Sequence, residues 1–251
     1  MRLRDKVAVV TGGQRGIGFA IARKFTREGA HVTIADIGNA AEEAASLSAI
    51  GANEARFIKT DVGSERDVKS MVDAVVAEHG RIDILVNNAG IEFYKPVTTT
   101  TEDEWDRLMR VNLKGVFLCS KAAIPAMRPS GGVIVNVASE LGLVGEANVA
   151  AYCASKGGVV MLSKAMAIDH GPEGIRVNCL CPGPVSTKLL EEVFLASDDP
   201  ERMRRSFEQR MVLNRLGTPD ECADAALFLA SEESSFMAGA NLVLDGGWTT
   251  R

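Results

Sequence analysis

Residues Val7-Ala8-Val9-Val10-Thr11-Gly12-Gly13-Gln14-Arg15-Gly16-Ile17-Gly18-Phe19-Ala20-Ile21-Ala22-Arg23-Lys24-Phe25 run from a short apolar segment through a glycine-rich turn into an amphipathic stretch. The run from Val7 to Val10 has the length and β-branched content of a strand. Beyond Gly18 the apolar residues recur at helical spacing. A strand, a glycine turn and a helix in that order make the opening unit of a parallel α/β sheet.

Outward from this unit the pattern repeats. Further β-rich runs lie at His31 to Asp36, Ala55 to Thr60, Ile82 to Val86, Val133 to Ala138, Arg176 to Cys181 and Asn241 to Leu244. The stretches between them are long enough for right-handed helical crossovers. Runs such as Ile84-Leu85-Val86 and Val133-Ile134-Val135 are apolar without alternation, which suits strands covered on both faces. The expected architecture is a doubly wound (Rossmann) α/β fold, a seven-stranded parallel sheet with helices on both faces. Two helix starts carry capping-box spacing, Thr101 with Glu104 and Thr218 with Glu221, the second with Pro219 at the first helical position. With 251 residues and 46% hydrophobic content, the chain can bury one core, so residues 1–251 are expected to form a single domain. The least regular region follows Pro182-Gly183-Pro184, and the charged, partly apolar segment 186–213 is expected to be a substrate lid.

The net charge of -5 comes with dispersed basic residues, which argues against a nucleic-acid partner. The N-terminal apolar run is too short for a secretory signal, and no run reaches membrane-spanning length, so a cytoplasmic protein without a membrane partner is expected. Five cysteines in such a chain do not suggest a disulfide framework. Cys179 and Cys181 lack zinc spacing, and His31, His79 and His170 form no metalloprotease pattern, so no metal is expected.

The glycine turn has a chemical use. Gly12 permits the tight turn, Gly16 and Gly18 let backbone and helix approach closely, and the helix N-terminus presents free N–H groups to a pyrophosphate. The candidate cofactor contacts in the turn are Gly12, Gln14, Arg15, Gly16, Ile17 and Gly18. Asp36 ends the second β-rich run eighteen residues after Gly18, near the offset expected of a carboxylate that binds ribose hydroxyls. Its charge would repel the extra phosphate of NADP. Arg15 is the counterweight, able to receive that phosphate or equally to be a solvated surface charge. NAD is expected in preference to NADP.

Tyr152 and Lys156 are four residues apart in a stretch of strongly helical composition, so both project from one face. A phenol with a pKa near 10 is a poor acid–base catalyst at neutral pH, and a fixed ammonium beside it favours the phenolate. Ser139, thirteen residues earlier at the end of the fifth β-rich run, can hydrogen-bond a substrate oxygen as its charge changes. Asn112 opens the Asn-Leu-Lys-Gly stretch of an earlier helix.

In combination these residues resemble the single-domain short-chain dehydrogenase/reductase family, in its branch of about 250 residues, over nearly the whole chain. The resemblance rests on the turn from Thr11 to Gly18, Asn87-Asn88-Ala89-Gly90, Asn112, Ser139, Tyr152 with Lys156, and Pro182-Gly183. It implies that Ser139 orients the substrate, Tyr152 is the catalytic acid or base, and Lys156 both lowers the tyrosine pKa and holds the nicotinamide ribose. It further implies that Asn112 completes a water-linked proton relay. Asp61 and Val62 would hold the adenine, Asn88, Ala89 and Gly90 would flank the cofactor, and Val185 and Thr187 would bind the carboxamide, beyond Pro182 and Gly183. A homotetramer is expected from the same likeness and from two helical stretches, Val111 to Met127 and Ala150 to Ala167, that are apolar around much of their circumference.

Candidate substrate positions are Glu92 to Tyr94, Glu140 to Asn148 and Leu189 to Phe194. Glu92, Glu140 and Glu146 suit a sugar or polyol, whereas Leu189, Leu190, Val193 and Phe194 suit a hydrophobic alcohol. The expected activity is NAD(H)-dependent interconversion of a secondary alcohol and a ketone. The enzyme alternative is a 3-oxoacyl thioester reductase using NADPH, against which Asp36 argues. A dinucleotide-sensing scaffold would need none of Ser139, Tyr152 and Lys156.

Overall fold

The apolar run near the N-terminus becomes a fully buried strand, Val7–Thr11 (β1), and the amphipathic stretch behind it a helix, Gly16–Arg27 (α1). Both belong to a computed structural model that describes residues 1–51, 53–195 and 197–250. The chain continues through His31–Asp36 (β2), Ala41–Ser48 (α2), Arg56–Lys59 (β3), Glu65–His79 (α3), Ile84–Asn87 (β4), Glu102–Met109 (α4) and Gly115–Met127 (α5). It then forms Gly132–Val137 (β5), Ala150–His170 (α6), Ile175–Pro182 (β6), Lys188–Leu195 (α7), Pro200–Arg210 (α8), Pro219–Ala230 (α9) and Asn241–Leu244 (β7). All seven strands pair in parallel, in the order β3-β2-β1-β4-β5-β6-β7. This is the doubly wound sheet that the sequence implies. Residue 196 of the expected lid, and residues 52 and 251 of the expected domain, lie outside the described residues.

Side-chain alternation along each strand divides the core in two. Ala8, Val10, Ile34, Val86 and Leu180 pack against Ile21 and Phe25 of α1 and Leu227 of α9. Val7, Val9, Leu85, Ile134 and Val177 pack on the other face against Met71 and Val72 of α3 and Leu118 and Ile124 of α5. Full burial of one such side chain stabilises the fold by about 1.5–3 kcal/mol. Both capping boxes form. Thr101 Oγ1 accepts from the Glu104 N–H at 3.2 Å and Glu104 accepts from the Thr101 N–H at 3.0 Å, with 3.2 and 2.8 Å for Thr218 and Glu221.

Between α4 and α5 the chain does not break. Arg110–Lys114 forms a π-helical turn, closed by the Gly115 N–H donating to the Arg110 carbonyl. Asn112 therefore lies within a widened turn of a nearly continuous helix, and such turns are frequent at functional sites. From β1 the sheet runs outward through β2 to β3, and the chain then crosses back to β4. That reversal opens a crevice beyond the strand C-termini, between β1 and β4. Over the far end of the crevice, α7 and α8 close around a separate apolar cluster of Leu190, Phe194, Met211 and Leu216, with Met203, Phe207 and Trp248 against it.

Candidate active site

The crevice is a cavity of about 640 Å³, within the range of small-molecule and cofactor sites. Its floor is the glycine turn. Gly12 and Gly16 take φ of 63° and 58°, a region that favours glycine. A Cβ on Gly18 would stand 2.2 Å from the Gly12 carbonyl oxygen and 2.5 Å from Asn88 Nδ2, so only glycine lets α1 meet the turn here. The turn is bolted to the end of β4. Thr11 Oγ1 accepts from the Asn88 and Ala89 N–H groups at 3.0 and 3.1 Å, while Asn88 Nδ2 donates to the Thr11 and Gly12 carbonyls, both at 3.0 Å.

Arg15 precedes α1 without capping it through its side chain, and Gly16 and Ile17 of the first turn line the cavity. Unsatisfied N–H groups and the positive end of the helix dipole thus border an open space, an arrangement that fits a dinucleotide pyrophosphate. At the end of β2, Asp36 accepts from the Gln14 and Gly38 N–H groups, each at 3.0 Å. Asp61 is held by Arg110 Nη1 at 2.8 Å and accepts from the Gly63 N–H at 2.9 Å.

The acid–base groups meet at the other end. Tyr152 and Lys156 lie on consecutive turns of α6, with Lys156 Nζ 5.5 Å from the Tyr152 ring centroid. Lys156 is buried and donates to the Val137 carbonyl at 2.9 Å. Ser139 follows β5 and lines the same cavity as Tyr152. Asn112 grips the next loop from behind: Oδ1 accepts from the Ile91 N–H at 2.8 Å, and Nδ2 donates to the Ile91 carbonyl at 2.9 Å and to Ser155 Oγ at 3.2 Å.

One electrostatic expectation is corrected. Lys156 was expected to draw the phenol down, yet burial and then the charges of Glu92 and Glu140 hold Tyr152 well above the usual phenol value. Burial draws Lys156 itself down to about 8. Burial also pushes Glu92 up to about 7 against the attraction of Lys156, and Glu140 up to about 7 against its hydrogen bond from Ser139.

Every candidate cofactor and catalytic residue lines this cavity except Gly18, which packs inside the turn, and Asn112, which stands behind Gly90 and Ile91. The substrate stretches contribute Glu92 and Tyr94, then Glu140, Leu141 and Glu146, then Leu189 and Leu190. Val193 does not line the cavity, and Phe194 is turned into the cluster beneath α7 and α8. Among the described residues, no group of three His, Cys, Asp or Glu side chains could hold a metal, and no helix is long and apolar enough to cross a membrane.

Residues 12–249 match a family model described as enoyl-(acyl carrier protein) reductase. The chain is 41% identical to meso-2,3-butanediol dehydrogenase of Serratia marcescens, over 99% of this chain and 96% of that one. It is equally 41% identical to a cyclopentanol dehydrogenase of Comamonas, over 99% and 98%. A short-chain type dehydrogenase/reductase from Mycobacterium marinum superposes with a TM-score of 0.92 at 35% identity, covering 99% of this chain and 97% of that one. The chain belongs to the short-chain dehydrogenase/reductase family. It is an NAD(P)-dependent oxidoreductase acting on CH–OH groups.

Sequence reasoning did not reach several residues of this dehydrogenase/reductase cavity. Arg107, Arg110, Phe207 and Trp248 all line it. Arg110 carried a usable signal, since it lies two residues before Asn112 and directly before the stretch Val111 to Met127. Phe207 lies within segment 186–213, expected as the lid, although nothing singled it out there, and Trp248 carried no signal.

Proposed function

We propose that this dehydrogenase/reductase interconverts a secondary alcohol and a ketone with NAD(H), Tyr152 exchanging the proton at the substrate oxygen. The observation that carries the reading is the meeting of Tyr152, Ser139 and Lys156 in the same cavity as the glycine turn. Held by that turn, the dinucleotide supplies the hydride donor or acceptor. Tyr152, a phenol and so protonated at neutral pH, can give its proton to a ketone oxygen. Ser139 donates to the same oxygen as negative charge develops there. Lys156 holds the nicotinamide ribose. Asn112 joins Lys156 in a water-linked relay, a role supported by both side chains bordering Gly90, 3.4 and 3.7 Å from where its Cβ would stand.

Asp36 favours NAD, because a ribose 2′-phosphate would meet its carboxylate. Asp61 and Val62 take the adenine, Asn88 to Gly90 flank the cofactor, and Pro182, Gly183, Val185 and Thr187 close over its nicotinamide end. Segment 186–213 acts as the substrate lid. The names of the two relatives, a diol dehydrogenase and a cyclic-alcohol dehydrogenase, support the substrate class, and Glu92 and Tyr94 add polar groups suited to a second hydroxyl. The five free thiols suit a reducing cytoplasm. The assembly proposed is a homotetramer, supported by apolar side chains left open on α5 and α6: Phe117, Met161 and Ile168 are 45%, 62% and 76% exposed.

A panel of secondary alcohols, sugars, ketones and 3-oxoacyl thioesters, scored by nicotinamide absorbance with both cofactors, tests the reading. Turnover of 2,3-butanediol or cyclopentanol with NAD is expected, and Tyr152→Phe should lose about 10²–10⁴ in kcat while keeping NADH affinity. Turnover in that variant within about tenfold of the parent overturns the role of Tyr152. Turnover of the thioester alone, with NADPH, overturns the substrate class.

A further inference from the structure

The Ser139 hydroxyl has one proton to donate and two lone pairs with which to accept. The Leu141 N–H takes one lone pair at 3.1 Å. Oγ also stands 2.6 Å from Oε2 of the adjacent Glu140, to which it donates its proton when that carboxyl is ionised. Glu140 is buried at 4% exposure. Its turn, Glu140–Gly142, is pressed onto α6, so that a Cβ on Gly142 would stand 2.8 Å from the Lys156 carbonyl oxygen. The carboxyl therefore stays on Ser139 and does not relax into solvent. A serine that gives its only proton to a neighbouring carboxylate has none for a developing alkoxide.

We propose that Glu140 is a positioning residue that decides, by being neutral or ionised, whether Ser139 donates its hydrogen bond to the substrate oxygen. The inference rests on the roles of Ser139 and Tyr152 given above. When neutral, the Glu140 carboxyl donates its own proton to the remaining lone pair of Ser139 Oγ, and the serine hydroxyl is free to turn to the substrate. When Glu140 has lost that proton to solvent, its carboxylate reclaims the serine proton.

The groups facing Glu140 favour a switch near neutrality. Glu92 and Tyr94 approach from the segment after β4, Tyr152 and Lys156 from α6, and Cys181 from β6. Glu146, on the loop before α6, adds negative charge near Tyr94 and is itself held by Arg210 of α8 at 2.8 Å. Burial and the charge of Glu92 raise the carboxyl, the hydrogen bond from Ser139 opposes them, and the balance leaves Glu140 at about 7.

Two measurements test this. In the ligand-free protein, infrared titration should show protonated carboxyl absorption from Glu92 and Glu140, and subtracting the signal of Glu140→Gln isolates the Glu140 band. In Ser139→Ala its midpoint should move upward by about one pH unit, a tenfold change in proton affinity, because the carboxylate loses a donor. In reduction of cyclopentanone by NADH, wild-type kcat should fall about tenfold per pH unit above the midpoint. Glu140→Gln offers Ser139 an amide donor at every pH, so its kcat should stay level through that range. A midpoint unmoved by Ser139→Ala overturns the proposal. So does a Glu140→Gln profile that superimposes on the wild type, including the case where only KM changes, which would make Glu140 a substrate contact. If no alcohol or ketone turns over, the functional reading fails, while the infrared titration still decides the proposal.

Discussion

The two ends of the cavity are built from different material. At the glycine turn the wall is backbone: Gly12 and Gly18 bring main chain to main chain, and Thr11 and Asn88 fasten the join with four hydrogen bonds of 3.0 to 3.1 Å. At the proposed lid the wall is side chain. There α7 and α8 close on their own small apolar cluster and are tied by ion pairs, Arg204 to Glu191 and Arg210 to Glu146. A backbone wall has no rotamers with which to yield, whereas a side-chain wall can re-pack. The first end suits the part of the ligand pair that stays constant, and the second the part that varies.

The largest effect is expected where the comparison is sharpest, at Gly18. The added methyl of Gly18→Ala would lie 2.2 Å from the Gly12 carbonyl oxygen, and neither backbone can move without breaking the turn. Overpacking of this kind costs about 1–3 kcal/mol, which for a chain of this size lowers Tm by several degrees. NADH affinity should fall with it by more than about tenfold, the equivalent of 1.4 kcal/mol. Thermal unfolding and NADH fluorescence titration read the two effects. Unchanged Tm and affinity would mean that the turn is as adaptable as the lid.

Asp36→Ala probes the same end by charge. Both carboxylate oxygens accept backbone N–H groups, from Gln14 and Gly38, so the side chain is fixed where the ribose is proposed to lie. The variant should lose NAD efficiency and gain NADP efficiency, moving the ratio of kcat/KM values by roughly ten- to several-hundred-fold. The exposed guanidinium of Arg15 is then free to pair with the phosphate. An unmoved ratio would transfer the discrimination to Arg15.

The contrast also explains what could be read in advance. Strands such as Ile84-Leu85-Val86 announce themselves because burial on both faces demands unbroken apolar runs. The glycine turn is legible because only one residue type tolerates its close approaches. The Tyr152–Lys156 spacing is local to one helix. The π-helical turn at Arg110–Lys114 leaves no compositional mark, since one extra residue in a turn requires no special side chain. The pairing of Arg110 with Asp61 joins residues 49 apart. Burial first, and then the charges of Glu92 and Glu140 that tertiary structure alone brings to it, hold the Tyr152 phenol above its usual value, a net direction that an argument from Lys156 by itself does not reach. Phe194 reads as a substrate position because it is an apolar residue of the expected lid, but its side chain belongs to the cluster beneath α7 and α8.

The smallest effect is expected at the lid, from Arg210→Ala. Arg210 pairs with Glu146 at 2.8 Å across the cavity mouth and stacks 5.2 Å from the Trp248 ring and 5.8 Å from the Phe207 ring. Its side chain is 47% exposed, so the pair works largely in water and is worth about 0–1 kcal/mol. Removing it should raise substrate KM by no more than about fivefold, with kcat and NADH affinity little changed. Hydrogen exchange should quicken over 200–213 and leave β5 unaltered, because the proposed lid makes its own small cluster apart from the sheet. A loss of NADH affinity would show that the lid is mechanically joined to the glycine turn through Thr187, whose Cγ2 lies 3.5 Å from where a Gly16 Cβ would stand. In that case the two ends of the cavity would have to be treated as one body.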